Sequence, residues 1–221
     1  MPSARYRAVL WDFGGVLTDS PFDAFGRYEQ AHGLPQHFIR SVNTVNPDGN
    51  AWARFERGEM TLDEFDRAFE AESRAAGFAV PGRDIMAILY GEPRPAMVEA
   101  LRRCGEHYVT ACLTNNVKTG VGHGLPTTEA RALQVQDIMA LFDHVFESSL
   151  IGARKPEERF YRLALEKLEL EPREAVYLDD LGMNLKPARA MGMTTIKVES
   201  AEQALVELEQ VLEMRLRGAR P

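Results

Sequence analysis

The sequence predicts an α/β protein: a parallel sheet flanked by helices, with an all-helical insertion after the first strand. Three observations carry this. Short, almost wholly apolar runs recur at Val9-Leu10-Trp11, His107–Thr114 and Ala175–Leu178, and suit strands covered on both faces. Stretches with helical spacing separate them, which implies right-handed parallel crossovers. Residues 20–91 hold much of the aromatic content and no convincing strand. The 221 residues suffice for one α/β domain with an insertion. Residues 1–19 and 92–221 are assigned to the core, and 20–91 to the insertion.

In the insertion, Phe22, Phe25, Tyr28 and Glu29 fall at helix spacing, and Pro35–Val45 reads as a second short helix. Asn46–Asn50 is a turn, Ala51–Arg57 a helix, and Gly58 its break. Thr61 with Glu64 three residues on predicts a capping box opening a helix to Ala75; Gly77–Pro81 closes the unit. Trp52, Phe55, Phe65 and Phe69 are read as the insertion's own core.

In the core, Pro93–Arg103 is a helix, Asn115–Pro126 a long loop and Thr127–Ala140 a helix. Phe142–Glu147 is a strand and Ser148–Lys155 a loop. Pro156 is placed at the first position of the next helix, with Glu157 and Glu158 in its first turn. Asn184–Met191 is a helix stopped by Gly192, Met193–Val198 the last strand and Ala201–Leu216 the closing helix.

Composition narrows the function. Hydrophobic residues make up 45%, ordinary for a protein with a real core. The formal net charge of -7 argues against a nucleic-acid partner. No apolar run is long enough to span a bilayer, so no membrane partner is expected. The 2 cysteines, Cys104 and Cys112, show no metal-ligand spacing, and Cys112 reads as a core residue. Sparse cysteines and no leader peptide point to a cytoplasmic protein. The five histidines show no ligand spacing, and Arg215, Arg217 and Arg220 read as a solvated tail.

Four polar clusters follow strands or precede helices: Asp12, Thr114-Asn115-Asn116, Lys155 and Asp179-Asp180. A parallel sheet gathers such positions at its carboxyl edge, where open α/β sheets bind ligands. Gly14 and Gly15 let the chain turn sharply beside Asp12. The kit is chemically coherent: one carboxylate to attack, a hydroxyl and an amide to hold an oxyanion, a lysine to offset charge, and further carboxylates for a hard cation such as Mg²⁺. Each residue has a plainer reading: Asp12 as a turn acid, Thr114 as a strand-end hydroxyl, Lys155 as a solvated lysine, Asp179-Asp180 as a helix cap. Two acids abutting an apolar strand repel one another without a cation, which favours the metal reading.

With these motifs in this order, the chain resembles the haloacid dehalogenase superfamily, whose members set a helical cap after the first strand of a Rossmann-like parallel sheet. The stretches Phe142–Ser148, Gly152-Ala153-Arg154-Lys155-Pro156 and Tyr177–Arg189 bring it nearer the phosphatase domain of soluble epoxide hydrolases and the related domain fused to some acyl-CoA dehydrogenases. The resemblance implies an Mg²⁺-dependent hydrolase acting on a small phosphorylated substrate. It implies Asp12 as the nucleophile, forming an aspartyl-phosphate; Thr114 and the amide of Asn115 on the phosphoryl group; and Lys155 offsetting charge. It further implies Asp12, the Gly14 carbonyl and Asp180 on the metal, Asp179 orienting a metal water, and Asn184 bracing that loop.

One position departs from the pattern. The family's phosphatases carry a second Asp two residues after the nucleophile, as general acid and base; here it is Gly14. Positioned acid–base catalysis contributes about 10²–10⁴-fold. A leaving group that needs no proton, such as an anomeric sugar phosphate or an acyl phosphate, tolerates the loss best, and Asp19 is a candidate substitute. Two other readings stand beside the phosphatase: a catalytically weak domain kept for binding or regulation, and a 2-haloacid dehalogenase. The paired acids Asp179-Asp180 argue against the last.

Overall fold

The computed structural model describes residues 5–89, 91–117 and 129–217. Five parallel strands form one sheet: β1 (Ala8–Trp11), β2 (Val109–Thr114), β3 (His144–Glu147), β4 (Ala175–Asp179) and β5 (Thr194–Lys197), in the order β3-β2-β1-β4-β5. The chain runs outward from β1 through β2 to β3, then crosses to the other side of β1 for β4 and β5. The strand order therefore reverses between β1 and β4, where an open sheet leaves its crevice.

All four residues of β1 are fully buried, because alternate side chains enter different layers. Val9 and Trp11 join the cluster covered by α6 (Pro95–Cys104), α7 (Glu129–Met139) and α11 (Ala201–Leu212). Ala8 and Leu10 join that of α9 (Glu158–Leu168) and α10 (Gly182–Met191). Cys104 and Cys112 are buried free thiols, Cys104 pushed up to about 12 by burial and Cys112 raised by the same cause.

Five helices lie between β1 and α6: α1 (Pro21–Ala31), α2 (Phe38–Thr44), α3 (Ala51–Glu56), α4 (Leu62–Ala75) and α5 (Gly82–Ile88). Each reads from local chemistry. Ser20 caps α1, Asn50 accepts from Ala53 N at 2.8 Å to cap α3, and Thr61 with Glu64 forms the expected capping box of α4. Phe55, Phe65 and Phe69 form the centre of a separate cluster with Trp52 partly buried against it. The two connections to the sheet lie side by side: Asp19 N donates to Glu92 O and Arg94 N to Leu17 O, both at 2.8 Å.

Several elements differ from the sequence reading. Helix α5 was not anticipated; its cap, Pro81, supplies no side-chain acceptor. Ser148–Ile151, read as loop, is a one-turn helix, α8. Pro156 lies before α9 rather than at its first position, and Glu157 is the N-cap. Helix α11 ends at Leu212, not Leu216, because Glu213 turns left-handed and Glu209 accepts from the amides of Leu216 and Arg217, each at 2.8 Å. Arg217 is thus paired with Glu209 at 2.6 Å while remaining exposed. The loop beyond Val117, the start of the helix at Thr127, and His123 and Arg220 fall outside the described residues. Among those described, no helix is long and apolar enough to cross a membrane.

Candidate active site

Asp12 extends the β1–β4 ladder by one residue, its N–H donating to Leu178 O at 2.8 Å. Its Oδ1 accepts from the Phe13 amide at 2.7 Å and lies 2.7 Å from Lys155 Nζ. Lys155 follows β3 in the chain, on the loop between α8 and α9, and its side chain is only 1% exposed. It reaches Asp179 Oδ2 at 2.9 Å as well, so one ammonium bridges the ends of β1 and β4. Burial works against that charge, but Asp12 and Asp179 outweigh it and raise the Lys155 pKa.

Asp179 accepts from several protein groups. Besides Lys155 it accepts from the Tyr177 hydroxyl, from Leu181 N at 2.8 Å and from Asn184 Nδ2 at 3.1 Å on both oxygens. Asn184 is held in turn by the Tyr161 hydroxyl on its carbonyl at 2.8 Å. Asp180 is less buried and projects to the same place. One carboxylate oxygen from each of Asp12, Asp179 and Asp180 lies within 4.8 Å of the others. Burial raises Asp12 well above the usual carboxylate range, with Asp179 and Asp180 adding to it against Lys155. Asp180 is pushed up to about 6, by burial first and then by Asp179. Three carboxylates against one ammonium leave two negative charges over, and a divalent cation would offset them. Hard oxygen donors of this kind fit Mg²⁺.

The turn after Asp12 fits closely around Asp180. Gly15 has φ +75°, and a Cβ there would stand 2.2 Å from Asp180 Oδ2. The left-handed backbone favours glycine, and any side chain there would have to displace the Asp180 carboxylate. Gly14 differs: a Cβ there would meet only Pro21 Cγ at 3.6 Å and Cδ at 3.8 Å, ordinary contact distances. Arg94 donates to the Gly15 carbonyl at 2.8 Å and faces Asp19 at 3.7 Å. The carboxylate of Asp19 is 54% exposed.

Register brings β2 to the same rim. Cys112 pairs with Trp11, so Thr114 stands just past the level of Asp12, and it is buried. Asn115 clasps Lys155: its Oδ1 accepts from Lys155 N at 2.8 Å and its Nδ2 donates to Lys155 O at 3.0 Å. Asn116 binds the start of α8, its backbone N–H donating to Ser148 Oγ at 3.0 Å and its Oδ1 accepting from Ser149 Oγ at 2.9 Å. Val117 packs into the aromatic cluster of the inserted helices.

The residues singled out from sequence thus converge on one rim: Asp12, Gly14, Thr114, Asn115, Lys155, Asp179, Asp180 and Asn184. Three neighbours escape a sequence reading. Tyr177 carried a signal, since it lies two residues before Asp179 and shares its face of β4. Arg94 and Glu56 carried none; only folding brings them to residues 79 or more positions away (Gly15) and 98 positions away (Arg154).

Known proteins resemble the chain along most of its length. Residues 6–192 match the family described as haloacid dehalogenase-like hydrolase. The chain is 36% identical to acyl-CoA dehydrogenase family member 10 of Mus musculus over 94% of its own length, and spans only 19% of that protein. It is 31% identical to phosphatase MT3486 of Mycobacterium tuberculosis, covering 89% of this chain and 88% of that one. A solved structure of a haloacid dehalogenase family enzyme from Bacteroides thetaiotaomicron, in complex with magnesium and inorganic phosphate, superposes with a TM-score of 0.61 at 20% identity, over 92% of this chain and 98% of that one. The chain belongs to the haloacid dehalogenase-like hydrolase family.

Proposed function

We propose that this protein is an Mg²⁺-dependent phosphohydrolase acting on a small phosphorylated metabolite, with residues 20–91 as its cap. The observation that carries the reading is the Lys155 ammonium held between Asp12 and Asp179, with Asp180 close beside them. The kinship to a named phosphatase along nearly its full length supports it.

Asp12 attacks the phosphorus, and the bond from phosphorus to the leaving oxygen breaks, giving an aspartyl-phosphate. The Phe13 amide and Lys155 both contact Oδ1, so Oδ2 is assigned to the attack. Thr114 and the Asn115 amide hold the phosphoryl oxygens. Lys155 offsets the charge that gathers on Asp12 and the phosphoryl group. Asp12, the Gly14 carbonyl and Asp180 would hold Mg²⁺, with Asp179 behind them orienting a metal-bound water. Bound there, the ion would neutralise charge on the phosphoryl oxygens.

Gly14 provides no acid for the leaving oxygen, and Asp19 is turned toward Arg94. The substrates that suit this site are therefore those whose leaving group departs as a stable anion or neutral species, anomeric and acyl phosphates among them. The test is a panel of phosphorylated metabolites assayed for phosphate release with and without Mg²⁺, in the wild type and in Asp12→Asn. Release that needs Mg²⁺ and vanishes in Asp12→Asn supports the proposal. No release from any compound would leave a binding domain, and equal release by both proteins removes Asp12 from the reaction.

A further inference from the structure

We infer that Glu56, on the inserted helices, is a positioning residue for Lys155. It rests on the phosphohydrolase reading for its kinetic part only. Glu56 closes α3, and its side chain is 9% exposed. Its carboxylate gathers three donors. Trp52 Nε1, from its own helix, donates to Oε1 at 2.9 Å; Asn115 Nδ2, from the loop after β2, donates to Oε2 at 3.2 Å; and the Arg154 guanidinium binds the same oxygen. Its carbonyl accepts from Ser148 Oγ at 2.6 Å. Gly58, two residues on, lies so near Ser149 O that a Cβ would approach it to 2.5 Å.

Asn115 is the side chain that brackets the Lys155 backbone from both sides, at 2.8 and 3.0 Å. Arg154 is the residue before Lys155. Glu56 therefore binds both elements that fix where Lys155 leaves the backbone, and Lys155 reaches Asp12 from there. A buried carboxylate sharing two donors in this way restricts both, because losing it leaves the Arg154 guanidinium only the Pro47 carbonyl, at 3.4 Å, and leaves one Asn115 N–H without its acceptor. The inserted helices thus hold the lysine in place as well as covering the site. A second cap–core ion pair, Arg57 with Glu157 at 3.3 Å, touches neither Asn115 nor Lys155 and serves as the control.

The experiment compares wild type, Glu56→Ala, Glu56→Gln and Arg57→Ala in the full chain. Hydrogen exchange is read over residues 152–155, and kcat and KM with p-nitrophenyl phosphate and Mg²⁺. Glu56→Ala is expected to lose exchange protection at the Lys155 amide and to lower kcat about tenfold, the scale of a removed outer-shell partner, with KM within about twofold. Glu56→Gln, which keeps an acceptor for Asn115, recovers part of both. Arg57→Ala leaves both near wild type. Unchanged protection in Glu56→Ala overturns the inference, and so does an equal loss in Arg57→Ala, which would make the effect one of cap docking. Lost protection specific to Glu56, in a wild type that releases no phosphate, upholds the positioning role and defeats the phosphohydrolase reading instead.

Discussion

Lys155 Nζ lies 2.7 Å from Asp12 Oδ1, although the two residues come from separate strand–loop units and the lysine is almost wholly buried. An ammonium in that position is stable only because carboxylates surround it. Lys155→Met should remove it and leave Asp12 and Asp179 facing each other without their shared counter-charge. Breaking a buried pair from one side costs about 3–5 kcal/mol. Urea titration should show a loss of that size, alongside loss of turnover; a midpoint equal to wild type would mean the carboxylates find another partner.

Gly14→Asp has room in the fold, since the nearest atom to its Cβ is Pro21 Cγ at 3.6 Å. The variant should fold normally and gain turnover on alkyl phosphates, by a factor on the order of 10² if an acid is what the site lacks. Anomeric or acyl phosphates should gain less. A flat rate on alkyl phosphates would place the limiting step elsewhere.

Gly15→Ala should do the opposite. The left-handed backbone disfavours a side chain by roughly 1–2 kcal/mol, and the added Cβ would stand only 2.2 Å from Asp180 Oδ2 and force that carboxylate to shift. Both melting temperature and Mg²⁺ affinity by titration calorimetry are expected to fall. Unchanged Mg²⁺ affinity would separate Asp180 from the ion.

The C-terminal segment gives a pH test away from the site. The Arg217 side chain and two backbone amides hold Glu209 down to about 2. Because the folded value lies below the unfolded one, this stabilisation is present above the ordinary glutamate range and is lost as pH falls from about 4.5 toward 2. Glu209→Gln should lower the melting temperature at pH 7 and narrow the gap to wild type near pH 2. A constant gap would show that Glu209 acts without its charge.

Much of the frame is legible in the chain. Val9-Leu10-Trp11 and Ala175–Leu178 declare buried strands because a parallel strand covered on both faces needs apolar residues without alternation. Thr61 and Glu64 declare a helix start because the capping box lies within four residues. Elements with weaker local signals are missed or misplaced: α5 has no capping side chain, α8 is a single turn, and the end of α11 is set by Glu209 reaching past it to Leu216 and Arg217.

What the sequence alone determined is the succession of the strands and of the strongly signalled helices, the helical insertion and the polar residues placed at the strand ends. Those depend on interactions within a few residues, or on burial that apolar runs record directly. Only the tertiary structure decided that Lys155 bridges Asp12 and Asp179, that Asp179 is filled by Tyr177 and Asn184 while Asp180 stays open, and that Glu56 of the inserted helices grips Asn115 and Arg154. A contact such as that of Glu56 with Arg154, 98 positions apart, leaves no periodicity in the chain; it exists because sheet register and crossover direction carry both partners to one rim.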